Sequence, residues 1–204
     1  MTKMRGMILG IISDIHGQLP ESVHEAFRHC GAIINAGDTC SESVMRELES
    51  IAPTVSVYGN CDRHYDYGKT VHDVARPSFM GVRFYVVHKP EDIPAELPAG
   101  TRVVISGHTH VPLRKDENGV LFLNPGSPTD PRDGSRPSVM TVEVDEREVY
   151  DVQQIILTPY GPMAENDDAG TRGSNHWESL DGFGFGSEDL SDHMHIDLGE
   201  LTEF

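Results

Sequence analysis

Basic residues are scarce in this 204-residue chain. Sixteen Lys and Arg stand against 33 Asp and Glu, for a formal net charge of −17. A surface that binds nucleic-acid phosphates needs the opposite balance, so no nucleic-acid partner is expected. Long apolar runs are also missing. None approaches the ~20 residues of a membrane-spanning helix, and Met1 to Met7 lead into a candidate strand without a signal-peptide cleavage pattern. A soluble protein with no membrane partner is expected. Cysteine is sparse: Cys30, Cys40 and Cys61 make no C-x-x-C and no disulfide framework, which suits a reducing cytoplasm. Neither G-x-S-x-G nor a Walker pattern is present.

What the chain does have is a set of apolar runs that end in Asp, Asn or His. Arg102 to Ile105 leads into Ser106-Gly107-His108-Thr109-His110. Ile8 to Ile12 is followed by Asp14-Ile15-His16, Ala32 to Ala36 by Gly37-Asp38, and Val55 to Tyr58 by Gly59-Asn60-Cys61-Asp62. Phe84 to Val87 ends at His88. In open α/β sheets the carboxyl ends of the strands form the rim where ligands bind. Asp, Asn and His suit divalent first-row metals. Seven such residues exceed the needs of one ion and fit two that share a carboxylate, about 3.5–4 Å apart.

The order of elements points to an α/β fold. Met7 to Ser13, Ala32 to Asn35 and Thr54 to Tyr58 read as buried strands. Between them lie candidate helices over Leu19 to His29 and Ser41 to Ser50, with Ser41 as N-cap. This β-α-β-α-β order implies parallel strands. Thr70 to Arg76 and Val82 to Val87 read as a hairpin, and Pro90 to Leu97 as a turn or two of helix. Val111 to Lys115 and Val120 to Leu123 flank the hairpin turn Asp116 to Gly119. Ser138 to Val144 and Val149 to Leu157 read as a final antiparallel pair. A parallel half followed by an antiparallel half suggests two packed sheets with helices outside.

From about Pro159 the character changes. Eleven acidic residues face one basic residue, Arg172, alongside Gly182-Phe183-Gly184-Phe185-Gly186. We expect a domain over 1–158 and an acidic, Gly-rich, flexible tail over 159–204, with His193 and His195 outside any site.

In sequence order, D-x-H, G-D, G-N-x-D, a lone His, G-H-T-H and N-P-G-S resemble the calcineurin-like metallophosphoesterase superfamily, in particular its small YfcE-like phosphodiesterase branch. The likeness covers about residues 7–157. It implies a four-layer αββα sandwich of two mixed β-sheets flanked by helices. It also implies that Asp14, His16 and His110 hold one metal, that Asn60, His88 and His108 hold the other, and that Asp38 bridges both. A hydroxide between the ions would attack phosphorus in line with the leaving oxygen. Mn²⁺ is the favoured ion, with Ni²⁺, Co²⁺, Fe or Zn²⁺ as alternatives. The partner is then a small-molecule phosphate ester, and a homo-oligomer is left open.

Two positions depart from the pattern. Cys61 stands where many relatives carry a His that helps the leaving group depart, which favours diesters and good leaving groups. Lys89-Pro90 replace the usual Gly-His after His88, and Lys89 is a candidate phosphate contact. Asp62 is a candidate for orienting a neighbouring ligand, and Arg63 and Arg132 are candidate phosphate contacts. A rival reading is a non-catalytic binding module like the retromer scaffold subunit, with the acidic tail as partner arm. The complete ligand set argues for the enzyme.

Overall fold

A computed structural model describes residues 6–68, 71–158 and 161–164. In chain order the elements are β1 (Met7–Ile12), α1 (Glu21–Phe27), β2 (Ala32–Asn35), α2 (Glu42–Ile51), β3 (Thr54–Val57), β4 (Val71–His72), β5 (Val74–Ala75) and β6 (Ser78–Phe79). They continue with β7 (Val82–Val87), β8 (Thr101–Ile105), β9 (Leu113–Glu117), β10 (Val120–Asn124), β11 (Ser138–Asp145), β12 (Glu148–Thr158) and β13 (Gly161–Ala164). The first sheet runs β13-β12-β11-β1-β2-β3-β4. The second runs β5-β7-β8-β10-β9, with β6 also paired to β7.

The apolar runs are continuous because the first sheet is covered on both faces. Leu9 and Ile11 of β1 meet Phe84, Val103 and Leu123 of the second sheet in one buried layer. Ile12 faces the other way, against Val23 and Phe27 of α1 and Val44 and Leu48 of α2. The α2 stripe of Val44, Met45 and Leu48 is buried as expected, and Ser41 Oγ accepts from Val44 N–H at its start. On the far face of the second sheet, Tyr85, Val87 and Val104 pack against Ile93, Leu97 and Phe122. The helical layer expected there is reduced to a single 3₁₀ turn, Pro90–Asp92. Among the described residues no helix is long and apolar enough to cross a membrane.

Two expectations are corrected. The stretch read as one strand over Thr70 to Arg76 is two: β4 pairs parallel with β3 in the first sheet, while β5 pairs antiparallel with β7 in the second. The chain bends between them at Asp73, so the five residues from Val71 to Ala75 carry it from one sheet to the other. Both sheets mix parallel and antiparallel pairs, as the resemblance implied. The β11–β12 hairpin returns to β1, which would otherwise be an open edge. Finally, β13 pairs with β12 beyond the boundary expected at residue 158. The rest of the expected acidic tail, 165–204, lies outside the described residues.

Candidate metal centre

Parallel strands of both sheets end at one rim. β1, β2 and β3 deliver Asp14, Asp38 and Asn60, while β7 and β8 deliver His88 and the His108–His110 loop. Backbone bonds hold the first two loops side by side: Asp14 N–H to Gly37 O at 2.9 Å, His16 N–H to Asp38 O at 2.9 Å, and Gly17 N–H to Thr39 O at 2.8 Å. Asp14, His16, Asp38, Cys40, His108 and His110 all have positive φ, from 50° to 69°. Left-handed backbone at residues other than glycine is costly and collects where surrounding structure forces it, commonly at functional sites.

The ligand atoms of Asp14, His16 and His110 lie within 4.8 Å of one another, as do those of Asp14, Asp38 and His88. Asp14 is thus common to both groups. Asp38 belongs to the second group, with Oδ2 3.4 Å from His88 Nε2. Asn60 Nδ2 lies 3.1 Å from His108 Nδ1, and the His108 ring meets His88 edge-on at 5.2 Å between centroids. His16 Nε2 and His110 Nε2 are 3.2 Å apart.

The donor set fits cations. His88 Nδ1 lies 2.8 Å from Ala36 O, and His110 Nδ1 lies 2.6 Å from Asp130 O. A carbonyl only accepts, so both Nδ1 atoms carry a proton and, in the neutral rings, both Nε2 atoms present a lone pair to the site. This is how a ligating imidazole is usually fixed. His88 Nε2 is buried and makes no hydrogen bond within the described residues, although it faces Asp38. A buried lone pair beside carboxylates needs a proton or a metal ion.

The protonation states follow from the same crowding. Burial raises the Asp14 carboxyl above its ordinary 3.8, against the Ser13 hydroxyl and the nearby imidazoles. Burial also pushes Asp38 upward, but His88, the Cys61 N–H and His16 outweigh it and hold Asp38 at about 2. For His88, burial lowers the value, yet the Asp38 carboxylate and the Ala36 carbonyl prevail and raise it above 6.5. The raised His88 gives stability that is complete below 6.5 and lost as pH rises through its folded value; the raised Asp14 is likewise lost above 3.8. The depressed Asp38 gives stability present above 3.8 and lost as pH falls toward 2. The metal-free protein should therefore lose melting temperature on both sides. Mn²⁺ should abolish the alkaline loss, because a cation replaces the His88 proton. Thermal melts across pH, with chelator and with Mn²⁺, check this; equal alkaline loss in both would refute it.

Asp62 does more than steer one neighbour. Its carboxylate accepts from the Asp38, Gly59 and Cys40 N–H groups at 2.7–2.8 Å and from the Tyr67 hydroxyl at 2.9 Å. It clasps the Asp38 loop to the Asn60 loop. Gly59 makes the close approach possible: a Cβ there would overlap the Asp38 carboxylate and backbone nitrogen. Gly59→Ala should therefore displace Asp38 and weaken Mn²⁺ binding about 10–100-fold, the size of effect seen when a supporting shell is lost. Calorimetric titration would show it, and unchanged affinity would refute the clasp.

The N-P-G-S loop has a role that its sequence pattern alone did not define. Asn124 Nδ2 donates to Gly107 O at 2.8 Å and Ser127 Oγ to Asp14 O at 2.7 Å. Asp130, reached by this loop, supplies the carbonyl that orients His110. Of the candidate phosphate contacts, Arg63 pairs with Asp73 at 2.9 Å and Arg132 with Asp130 at 3.4 Å. The expectation of no disulfide is corrected: Cys40 and Cys61 are bonded, because the two clasped loops bring their Cα atoms to 5.4 Å.

Comparisons with known proteins show the family and the fold. The calcineurin-like phosphoesterase superfamily domain matches residues 7–147. A probable metallophosphoesterase of Methanothermobacter thermautotrophicus is 39% identical over 150 residues, covering 68% of this chain and 87% of that protein. Phosphodiesterase YfcE of Escherichia coli is 30% identical over 156 residues, covering 65% of this chain and 85% of that protein. Among solved structures, Vps29 of Entamoeba histolytica complexed with Zn²⁺ superposes with a TM-score of 0.64. It is 21% identical and covers 78% of this chain and 97% of that one, a likeness that shows the fold.

Proposed function

This chain belongs to the calcineurin-like phosphoesterase superfamily, and from that premise we propose that it is a phosphodiesterase with a two-metal centre. Asp14, His16 and His110 would hold one ion, Asn60, His88 and His108 the other, and Asp38 would bridge them. The observation that carries this reading is the buried His88 Nε2, which makes no hydrogen bond among the described residues and faces Asp38 Oδ2 at 3.4 Å. Asp38 also feels both His16 and His88, one from each ligand set, as a bridge should. Two divalent ions, Mn²⁺ favoured and Ni²⁺, Co²⁺, Fe or Zn²⁺ as alternatives, would supply an acidified water and neutralise phosphate oxygens.

The chain's own residues set the rest. Asp38 Oδ1 is fixed by the Cys61 N–H at 2.9 Å, so its second oxygen is left to turn toward the ligands. His16 and Asn60 are the exposed members of the set and mark the side from which a phosphate ester enters. In the disulfide, Cys61 sulfur carries no proton and gives the leaving group no acid. Activated diesters are therefore the best substrates, and alkyl monoesters poor ones. The binding-module alternative has the Vps29 likeness behind it, but that likeness concerns the fold.

The test is metal content followed by hydrolysis of bis-p-nitrophenyl phosphate. About two ions per chain are expected, with activity lost to a chelator and restored by Mn²⁺. A fully metallated protein without hydrolysis would favour the scaffold.

A further inference from the structure

Cys40 and Cys61 belong to the loops that carry Asp38 and Asn60. They are 21 residues apart in sequence, bonded to each other, and half-buried, so small solutes can reach them. Cys40 follows Asp38 by two residues and sits in the left-handed region at φ 56°. Cys61 directly follows Asn60, and its N–H donates to Asp38 Oδ1 at 2.9 Å. The bond therefore limits how far Asn60 can move from Asp38. Asp62 accepts from the Cys40 and Gly59 N–H groups, a second tie between the loops that does not run through the sulfurs. Opening the bond removes the covalent limit while the hydrogen-bonded clasp keeps the fold.

We propose that Cys40–Cys61 is a reversible dithiol–disulfide site whose closure tightens the second metal position, that of Asn60, His88 and His108. The inference rests on the two-metal reading. A structural bridge resists reduction, whereas an accessible pair such as this one fits the labile, regulatory kind. The third thiol does not compete: burial pushes Cys30 up to about 12, so it holds almost no thiolate.

The oxidant is a low-molecular-weight disulfide of the glutathione type. One cysteine thiolate attacks it, forming a mixed disulfide and expelling one small thiolate. The other cysteine attacks the protein sulfur of that mixed disulfide, forms the Cys40–Cys61 bond and expels the second small thiolate. The protein loses two electrons and two protons, and two small thiols are released. The same thiols in excess run the exchange backward.

The experiment uses the full chain equilibrated in glutathione buffers from fully reduced to fully oxidised. Thiols are counted after quenching, and Mn²⁺ binding is followed by electron paramagnetic resonance. Mn²⁺ is the right probe because His16 Nδ1 lies 3.5 Å from Cys40 Sγ, and an opened His16–Cys40–Cys61 triad would attract softer ions. Three thiols are expected in the open form and one in the closed form, in keeping with the three cysteines. Opening should weaken the second Mn²⁺ about 10–100-fold and leave the first unchanged. Cys40→Ser should bind Mn²⁺ like the reduced protein in every buffer. Three results overturn the proposal: a bond that never forms, a bond that opens only on unfolding, or two Mn²⁺ held equally in both states. Failure to bind a second Mn²⁺ in either state would instead overturn the two-metal reading.

Discussion

Asp38→Asn should cost more than the loss of any terminal ligand. Turnover on bis-p-nitrophenyl phosphate is expected to fall by about 10³-fold or more, roughly 4 kcal/mol of transition-state stabilisation. Bound Mn²⁺ should fall below two per chain. The reason lies in position. Asp38 is almost fully buried, takes the Cys61 N–H on one oxygen and faces His88 with the other, and is held ionised down to about pH 2. A neutral amide keeps the shape but cannot bring a negative charge to two cations at once. The matched control is His16→Asn at the exposed edge, which should cost less. Wild-type turnover with two bound ions in Asp38→Asn would end the bridging assignment.

Asp62→Ala should be the most damaging change to stability. Its carboxylate is 1% exposed and serves three backbone N–H groups and one hydroxyl. Each buried N–H left without a partner costs about 1–3 kcal/mol. With some relief from water, a loss of about 3–5 kcal/mol follows, and a melting temperature lower by about 10 °C in a domain of this size. Asp62→Asn retains one accepting oxygen and should fall between wild type and Ala. If Asp62→Ala melted within a degree or two of wild type, the clasp would not hold the loops. The effect should appear in metal-free protein, which separates it from ligand loss.

The candidate rim was legible because its signal is local. An apolar run followed by Asp, Asn or His records both a strand and what its carboxyl end presents, so Asp14, Asp38, Asn60, His88 and the His108–His110 loop could be read off directly. The ordered motifs supplied the family. What stayed hidden depends on partners far apart in the chain. Nothing in Asp62 itself says that it will receive the Cys40 N–H, 22 residues away. Cys40 and Cys61 looked unpaired because their spacing matches no known framework, and only the clasped loops make them neighbours. The sheet change at Asp73 was hidden for a different reason. A run from Val71 to Ala75 has the same apolar pattern whether it serves one sheet or two, and two-residue strands leave no period to count.

The position of β1 has a consequence for synthesis on the ribosome. β1 emerges well before β11, its partner on one side, in which Val144 lies opposite Met7. Until residues near 145 leave the exit tunnel, that edge of β1 has no mate, and the loop bearing Asp14 lacks the Ser127 hydroxyl that pins it. Pairings that span so much of the chain are slow to close. The nascent polypeptide therefore carries the hydrophobic β1 edge open until β11 has been made. The candidate ion-binding pocket is completed only when that pairing closes, so any ion it takes is expected to enter after β11 has emerged.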